Sequence, residues 1–365
     1  MQKIRIAYFI SSHGFGHAAR SSAIMAETFR QNSRVVFDIY TQTPEWFFLE
    51  SEAPFDHWYA TESDVGIVQI SPMEMDIPGT VQKLSEFLFS LESESARIAE
   101  LFRERGYELV ISDISPLGIK AAQKAGISCI LFENFTWDWI YEIYEKKYPE
   151  FININHKLAE IYHSVDAHGR LIPFCDDTWK SDLVISPVSR NQKIGRAETR
   201  KRLGIRPDQT MGLISMGGIP EDFQKVPDHF KNQYDTILVI EGNFPDIIRS
   251  GSSIFLPHHS GFYNPDLVGA ADFFIGKAGY STIAELFNAN IPFGYLLRSD
   301  FRETMPFRSF LQQQSNTFEI EWHNFKEFDL SNEINRLVQM KNSIIPRENG
   351  AKLAAAFILQ KLQAA

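Results

Sequence analysis

One pattern constrains this chain more than any other: short apolar runs alternate with segments of helical period, and the alternation happens twice. "IRIAYFI" (4–10) precedes a helix expected near 17–31, and "VVFDIYT" (35–41) follows it. After a loop rich in Pro, Asp and Glu comes a long helix near 79–105, then "ELVISD" (108–113), a helix over 116–126 and "ISCILFEN" (127–134). Apolar strands separated by helices are the signature of a parallel sheet with crossover helices. The pattern pauses in an aromatic helical stretch, with short strands near 168–187, and polar, basic residues over 188–204 mark a domain boundary. It then resumes with "MGLISMGG" (211–218), "TILVIEG" (236–242), "SIFLPH" (253–258), "FFIGKAG" (273–279), "PFGYLL" (292–297) and a helix near 302–314. A last helix follows Pro346 and Gly350. The expected fold is α/β, with two Rossmann-like, doubly wound parallel-sheet domains, 1–190 and 191–346. A length of 365 residues suits two such domains.

In a doubly wound sheet, ligands bind beyond the carboxyl ends of the strands. Three glycine turns fall there: "SSHGFGHAAR" (11–20), "SMGGIP" (215–220) and "GKAGYSTIAE" (276–285). Glycine lets backbone N–H groups approach a phosphate, and the N-terminal end of a helix favours its charge. Gly14, Gly16, Ser215, Gly217, Gly218, Gly279, Ser281 and Thr282 are therefore candidate ligand contacts, and Lys277 either adds a charge to a diphosphate or points outward. None of the turns fits G-x-G-x-x-G, and no P-loop lysine pattern occurs. The net charge of −10 argues against a general nucleic-acid binder. Cys129 and Cys175 lack metal-ligand spacing, no D-x-D sits in a convincing loop, and no metal is expected. The chain has no apolar run of transmembrane length and no signal-peptide pattern, so a reducing cytoplasm is the expected location.

"SSHGFGHAAR", with "VISDISP", "ENFTWDWIY" and "GKAGYSTIAELFNANIPFGYLLRSDFRE", resembles the glycosyltransferase-like N-terminal part of plant-type L-arabinokinases, across nearly the whole chain. More distantly, the chain is similar to the transferase that adds N-acetylglucosamine to the lipid-linked peptidoglycan precursor, and to other GT-B glycosyltransferases. The matched region does not include the kinase half with its own phosphate loop, so ATP-dependent sugar phosphorylation is not expected. The resemblance implies two domains facing a central cleft. The C-terminal domain would hold a nucleoside-diphosphate-sugar donor, most often a UDP-sugar. The N-terminal domain would hold an acceptor that the sequence does not identify, and the last helix (347–365) would pack back on it.

It further implies that His17 is the general base of an inverting transfer of a hexose or pentose. A helix N-terminus keeps such a ring neutral and able to take a proton; the alternative is a structural or capping histidine. Asp113, ending "ELVISD", either orients His17, as an Asp does in plant transferases of this fold, or caps the next helix. His13 contacts a phosphate or sugar hydroxyl, or shapes the turn. Arg20 faces the pocket or a surface carboxylate. The resemblance makes Glu285 the acceptor for ribose hydroxyls, whereas Thr282 and Glu285 also spell a capping box. Arg298, Asp300 and Glu303 occupy the stretch where relatives contact the donor sugar, although the peptidoglycan-type enzymes carry glutamines there. Asn134, Phe135, Trp137 and Trp139 form either an acceptor platform or core. Rival functions are hydrolysis or epimerisation of a UDP-sugar, and a non-catalytic nucleotide-sugar sensor.

Overall fold

The computed structural model describes residues 3–71, 74–217, 235–257, 259–298, 301–340 and 347–364. The chain divides into two compact units, one of residues 1–189 with 349–365 and one of residues 190–348.

The first unit runs β1 (Ile4–Ile10), α1 (Phe15–Gln31), β2 (Val35–Thr41), α2 (Glu45–Glu50), β3 (His57–Ala60), β4 (Gln69–Ser71), β5 (Glu74–Met75) and α3 (Ile77–Arg105). It continues with β6 (Tyr107–Asp113), α4 (Pro116–Ala125), β7 (Cys129–Glu133), α5 (Trp137–Tyr141), α6 (Glu150–Tyr162), β8 (Ala167–Leu171) and β9 (Leu183–Ile185). Its main sheet has the order β3-β2-β1-β6-β7-β8-β9, with every ladder parallel. β2 and β7 are buried along their whole length, as strands covered on both faces must be. The helices start and stop where the sequence punctuates them. Asp76 caps α3 through Gly79 N at 2.8 Å, and Gly106 ends it at φ +67°. Ser115 caps α4 through Gly118 N at 3.2 Å, with Pro116 in the first turn and Gly126 at the end.

The second unit runs α7 (Arg196–Arg202), β10 (Thr210–Ser215), β11 (Thr236–Gly242), β12 (Ile248–Ser250), β13 (Ser253–Pro257), α8 (Asn264–Ala270), β14 (Phe273–Lys277) and α9 (Tyr280–Ala289). It ends with β15 (Phe293–Leu296), α10 (Thr304–Gln312), β16 (Thr317–Glu319), α11 (Trp322–Lys326) and α12 (Ser331–Gln339). The sheet order is β12-β13-β11-β10-β14-β15-β16. One ladder departs from the expected parallel sheet: β12 pairs antiparallel with β13 at the edge. Two or three exposed residues ending in a turn suffice for such an edge, and they leave little apolar signal. The polar stretch 188–204 is not all linker either, because α7 forms within it. α13 (Ala351–Ala364) returns to the first unit and packs on α1.

Each sheet reverses direction beside its central strand. In the first, β2 lies on one side of β1 and β6 on the other; in the second, β11 and β14 flank β10. The crevices at the carboxyl ends of β1/β6 and β10/β14 are the topological switch points where α/β sheets bind ligands. The backbones are close at the second: a Cβ on Gly276 would lie 1.9 Å from the Ser215 carbonyl oxygen. Gly276→Ala is therefore expected to destabilise the chain by about 2–3 kcal/mol, through overpacking against a backbone that cannot yield. Urea denaturation measures it, and an unchanged midpoint contradicts this account.

Candidate active site

The first switch point begins with a helix start that only glycine makes easily. Gly14 sits at φ +74° and caps α1 without a side-chain bond, and the next turn carries His17. Ile10 on β1 is in register with Asp113 on β6, which brings the strand-end carboxylate beneath that first turn. His17 Nδ1 lies 2.7 Å from Asp113 Oδ1. Arg20, one turn further along α1, donates Nε to Asp113 Oδ2 and NH2 to Oδ1, both at 2.6 Å. Its NH1 donates to Asn134 Oδ1, and the Ser21 hydroxyl adds a bond to Asp113 Oδ2 at 3.1 Å. All five side chains are buried, and His17 is 6% exposed.

The electrostatics follow from this packing. Burial alone would raise the Asp113 carboxyl, but Arg20 and then His17 outweigh it and hold the group at about 2. Asp113 is thus an anion at neutral pH and accepts the proton of His17 Nδ1–H. In that Nδ1–H tautomer, Nε2 is the ring's basic nitrogen. Burial pushes the imidazole below its ordinary value; Asp113 opposes this and Arg20 adds to it. Arg20 NH2 lies 3.0 Å from Nδ1, so the guanidinium itself disfavours a second proton on the ring.

Aromatic rings wall the histidines. Phe135 stands edge-on to His17 at 5.7 Å, and Trp137 edge-on to His13 at 5.2 Å. Asn134, Phe135 and Trp137 are buried, and Trp139 is half-buried. Of the two readings, platform or core, the structure gives core for those three: Phe135 and Trp137 pack edge-on to each other and to the histidines, and Asn134 accepts from Arg20. Arg20 is wholly buried on Asp113 rather than lying at the surface. Ser115, not Asp113, caps α4.

Asp64 is a residue that the sequence reading missed. Its carboxylate accepts Trp137 Nε1 at 2.7 Å and bonds from the Ser11 side chain and Ser12 backbone. Burial raises it to about 6 against those bonds. It pins the 61–68 loop to the glycine turn, and "TESDVGIV" carries no motif that announces this.

The second switch point holds Ser215 at the end of β10, in register with Gly276 on β14. Gly217 adopts φ +82°, and its N–H donates to Ser215 Oγ at 3.3 Å. Gly218 and Asp300 lie outside the described residues. Gly279 is the N-cap of α9 without a side-chain bond, so Ser281 and Thr282 fall in the first turn. The capping box is thereby corrected: Thr282 is inside the helix rather than at its cap, and Glu285 is a turn further on. Glu285 is buried, and its Oε1 accepts Arg190 Nε and NH2 at 3.2 and 3.1 Å. Burial raises its carboxyl and Arg190 lowers it.

Lys277, at the end of β14, is half-buried. Burial and then the Arg298 charge lower it to about 8, while Glu303 pulls upward. Arg298 is lowered by burial, and its Nε is buried with no hydrogen-bond partner among the described residues. Glu241, near the end of β11, was also missed. Burial raises it to about 7, against hydrogen bonds from Ser215 and Asn264 and with Glu285 adding to the rise. A charged residue closing an apolar strand in "TILVIEG" is the same signal that singled out Asp113 in "ELVISD".

No family model matches the chain. It is similar to L-arabinokinase of Arabidopsis thaliana, with 27% identity over 314 residues that cover 84% of this chain and 29% of that protein. The chain thus spans less than a third of the length of that relative. Among solved structures, the glycotransferase of kitacinnamycin superposes with a TM-score of 0.66 at 15% identity, covering 99% of this chain and 100% of the other. A UDP-glucosyltransferase from Polygonum tinctorium gives 0.61 at 12%, covering 100% and 99%. MurG of Acinetobacter baumannii gives 0.55 at 13%, covering 99% and 100%. The fold is the two-domain α/β GT-B fold. Among the described residues, no helix is long and apolar enough to cross a membrane.

The buried network yields a stability prediction. Asp113→Asn leaves Arg20 buried without its anion and is expected to cost about 3–5 kcal/mol at neutral pH. The folded carboxyl is depressed, so its contribution is full above the unfolded value. It is lost as pH falls from about 4 through about 2. Denaturant unfolding of both proteins against pH checks this: the gap should narrow on acidification, and a constant gap contradicts the assignment.

Proposed function

We propose that this chain is an inverting glycosyltransferase that moves a sugar from a UDP-sugar to an acceptor hydroxyl, with His17 as general base. The observation that carries the reading is the His17–Asp113 pair. An anionic carboxylate on Nδ1 directs the basic lone pair to Nε2, and burial beside Arg20 keeps the ring unprotonated until an acceptor supplies the proton. The 190–348 unit takes the donor and the other unit takes the acceptor. In the donor unit, the Ser215–Gly217 turn and the start of α9 offer backbone N–H groups to a diphosphate, and Lys277 and Arg298 supply positive charge.

The acceptor oxygen attacks the anomeric carbon from the face opposite the diphosphate. The C–O bond to the leaving diphosphate breaks as the new bond forms, and the hydroxyl proton passes to His17 Nε2. A single displacement from that face inverts the configuration of the transferred sugar. Asp113 stabilises the imidazolium formed, and Arg20 limits how long the ring stays charged. The GT-B fold and the likeness to UDP-sugar enzymes support the donor class.

Thermal shift with uridine nucleotides and nucleotide-sugars is the first test, since a ligand that binds only the folded state raises Tm. UDP should raise it, and no response to any uridine nucleotide would sink the donor reading. His17→Ala should leave the UDP shift intact while lowering turnover, across a panel of UDP-sugars and acceptors, by about 10²–10⁴-fold. Free sugar released without acceptor would mark a hydrolase instead. A further expectation concerns pH. Lys277 carries its charge below about 8, so UDP affinity should fall above that pH, and Lys277→Met should remove the fall. Calorimetric titration at pH 7 and 9 measures it.

A further inference from the structure

His13 and Asp64 belong to the first switch point, and the chemistry assigned to His17 uses neither. His13 stands three residues past the end of β1 and directly before Gly14, the cap of α1. Its ring is half-buried, and the chain builds a slot around it. Trp137 stands edge-on to the imidazole at 5.2 Å. Gly66 covers another side: a Cβ there would lie 2.7 Å from His13 Nδ1 and 3.2 Å from Cγ. Gly66 also sits at φ +66°, so its own backbone and the ring beside it both call for glycine. Nε2 lies across the ring from the Cγ–Nδ1 bond, so Nε2 is the nitrogen turned away from Gly66.

The walls of the slot are tied to one another, and Asp64 makes the central tie. It is buried, and its carboxylate accepts Trp137 Nε1 at 2.7 Å. The same group accepts bonds from the Ser11 side chain and the Ser12 backbone N–H. One carboxylate thus holds Trp137 and the two residues that lead into His13. Gly66 O, in the same loop, accepts the Tyr141 hydroxyl at 2.8 Å, and Tyr141 stacks on Trp137 with ring centres 5.6 Å apart. The result is a second imidazole, four residues before the candidate base, held in place without being sealed off. An imidazole nitrogen donates to a hydroxyl or accepts from one, according to its tautomer. Fixing the ring beforehand lowers the ordering cost of such a bond.

We propose that His13 hydrogen-bonds a second hydroxyl of the acceptor, apart from the one that His17 deprotonates, and that Asp64 is a positioning residue acting through His13. The acceptor class is then a polyhydroxylated molecule such as a sugar, rather than a monohydric alcohol. This rests on the reading of the first unit as the acceptor side of a glycosyltransferase.

Steady-state transfer assays on the full chain test it, with UDP-sugars as donors and a panel of monosaccharides and monohydric alcohols as acceptors. Monosaccharides should have the lower KM. His13→Ala should raise that KM by about three- to tenfold, the range of one hydrogen bond, and more than it lowers kcat. His17→Ala falls on kcat instead. Asp64→Asn should show the His13→Ala split, and the double variant should be no worse than His13→Ala alone, because both changes remove one contact. Gly66→Ala, which displaces the ring without touching Asp64, should reproduce the split. Additive losses in the double variant overturn the positioning role of Asp64. An unchanged acceptor KM in His13→Ala overturns the contact. So does weaker calorimetric binding of UDP by that variant, which would move His13 to the donor. Equal KM for monohydric alcohols and monosaccharides overturns the acceptor class. If no donor and acceptor pair turns over with the unmodified chain, the transferase reading fails first and takes the inference with it. Circular dichroism melts of each variant separate loss of fold from loss of contact.

Discussion

Burying an arginine side chain is tolerable only if its charge and donors are met, and Arg20 is buried completely. Its planar fork suits a carboxylate gripped at both oxygens, which a lysine could not do. Nε and NH2 take Asp113, and NH1 takes Asn134, so one side chain on α1 ties the ends of β6 and β7 together. Once Arg20 and Asp113 are locked, His17 has one place to put its Nδ1 proton. The candidate base is aimed by the same ion pair that satisfies the fold, so its orientation does not depend on a mobile loop.

The two switch points use opposite charge balances. In the first unit one carboxylate faces a guanidinium and an imidazole, and the excess of cationic character holds Asp113 down near 2. In the second, two carboxylates share one guanidinium, and Glu241 rises to about 7. A fixed anion suits a group that must orient a histidine and stabilise its charged form. Burial depresses the cations Lys277 and Arg298, and Glu303 pulls both upward. A bound anion would relieve that cost.

Much of the fold could be read from apolar periodicity, because strands covered on both faces have no choice of composition. Helix limits followed from local chemistry, as at Ser115-Pro116 and Gly126 around α4. β12 escaped because three edge residues, two of them exposed, carry almost no pattern, and α7 because six of its seven residues are charged or polar and look like linker. The site divided along similar lines. His17, Gly14 and Gly217 sit in glycine turns, and Asp113 closes an apolar strand; all are visible one-dimensionally. Asp64 and Arg190 come from loops with no local signature, and only the folded chain brings them onto Trp137 and Glu285.

Glu285 shows how much of a motif's meaning is left to the folded chain. Its place in "STIAE" satisfies a capping pattern and a family pattern at once. The cap fails because α9 begins at Gly279–Tyr280, which moves Thr282 into the helix and Glu285 into its second turn. A buried second-turn carboxylate needs a cation, and Arg190, at the first position of its unit, provides it. Sequence spacing says which residues share a turn, but not which of their atoms are already committed. That commitment is set by burial and by the nearest opposite charge, here Arg190.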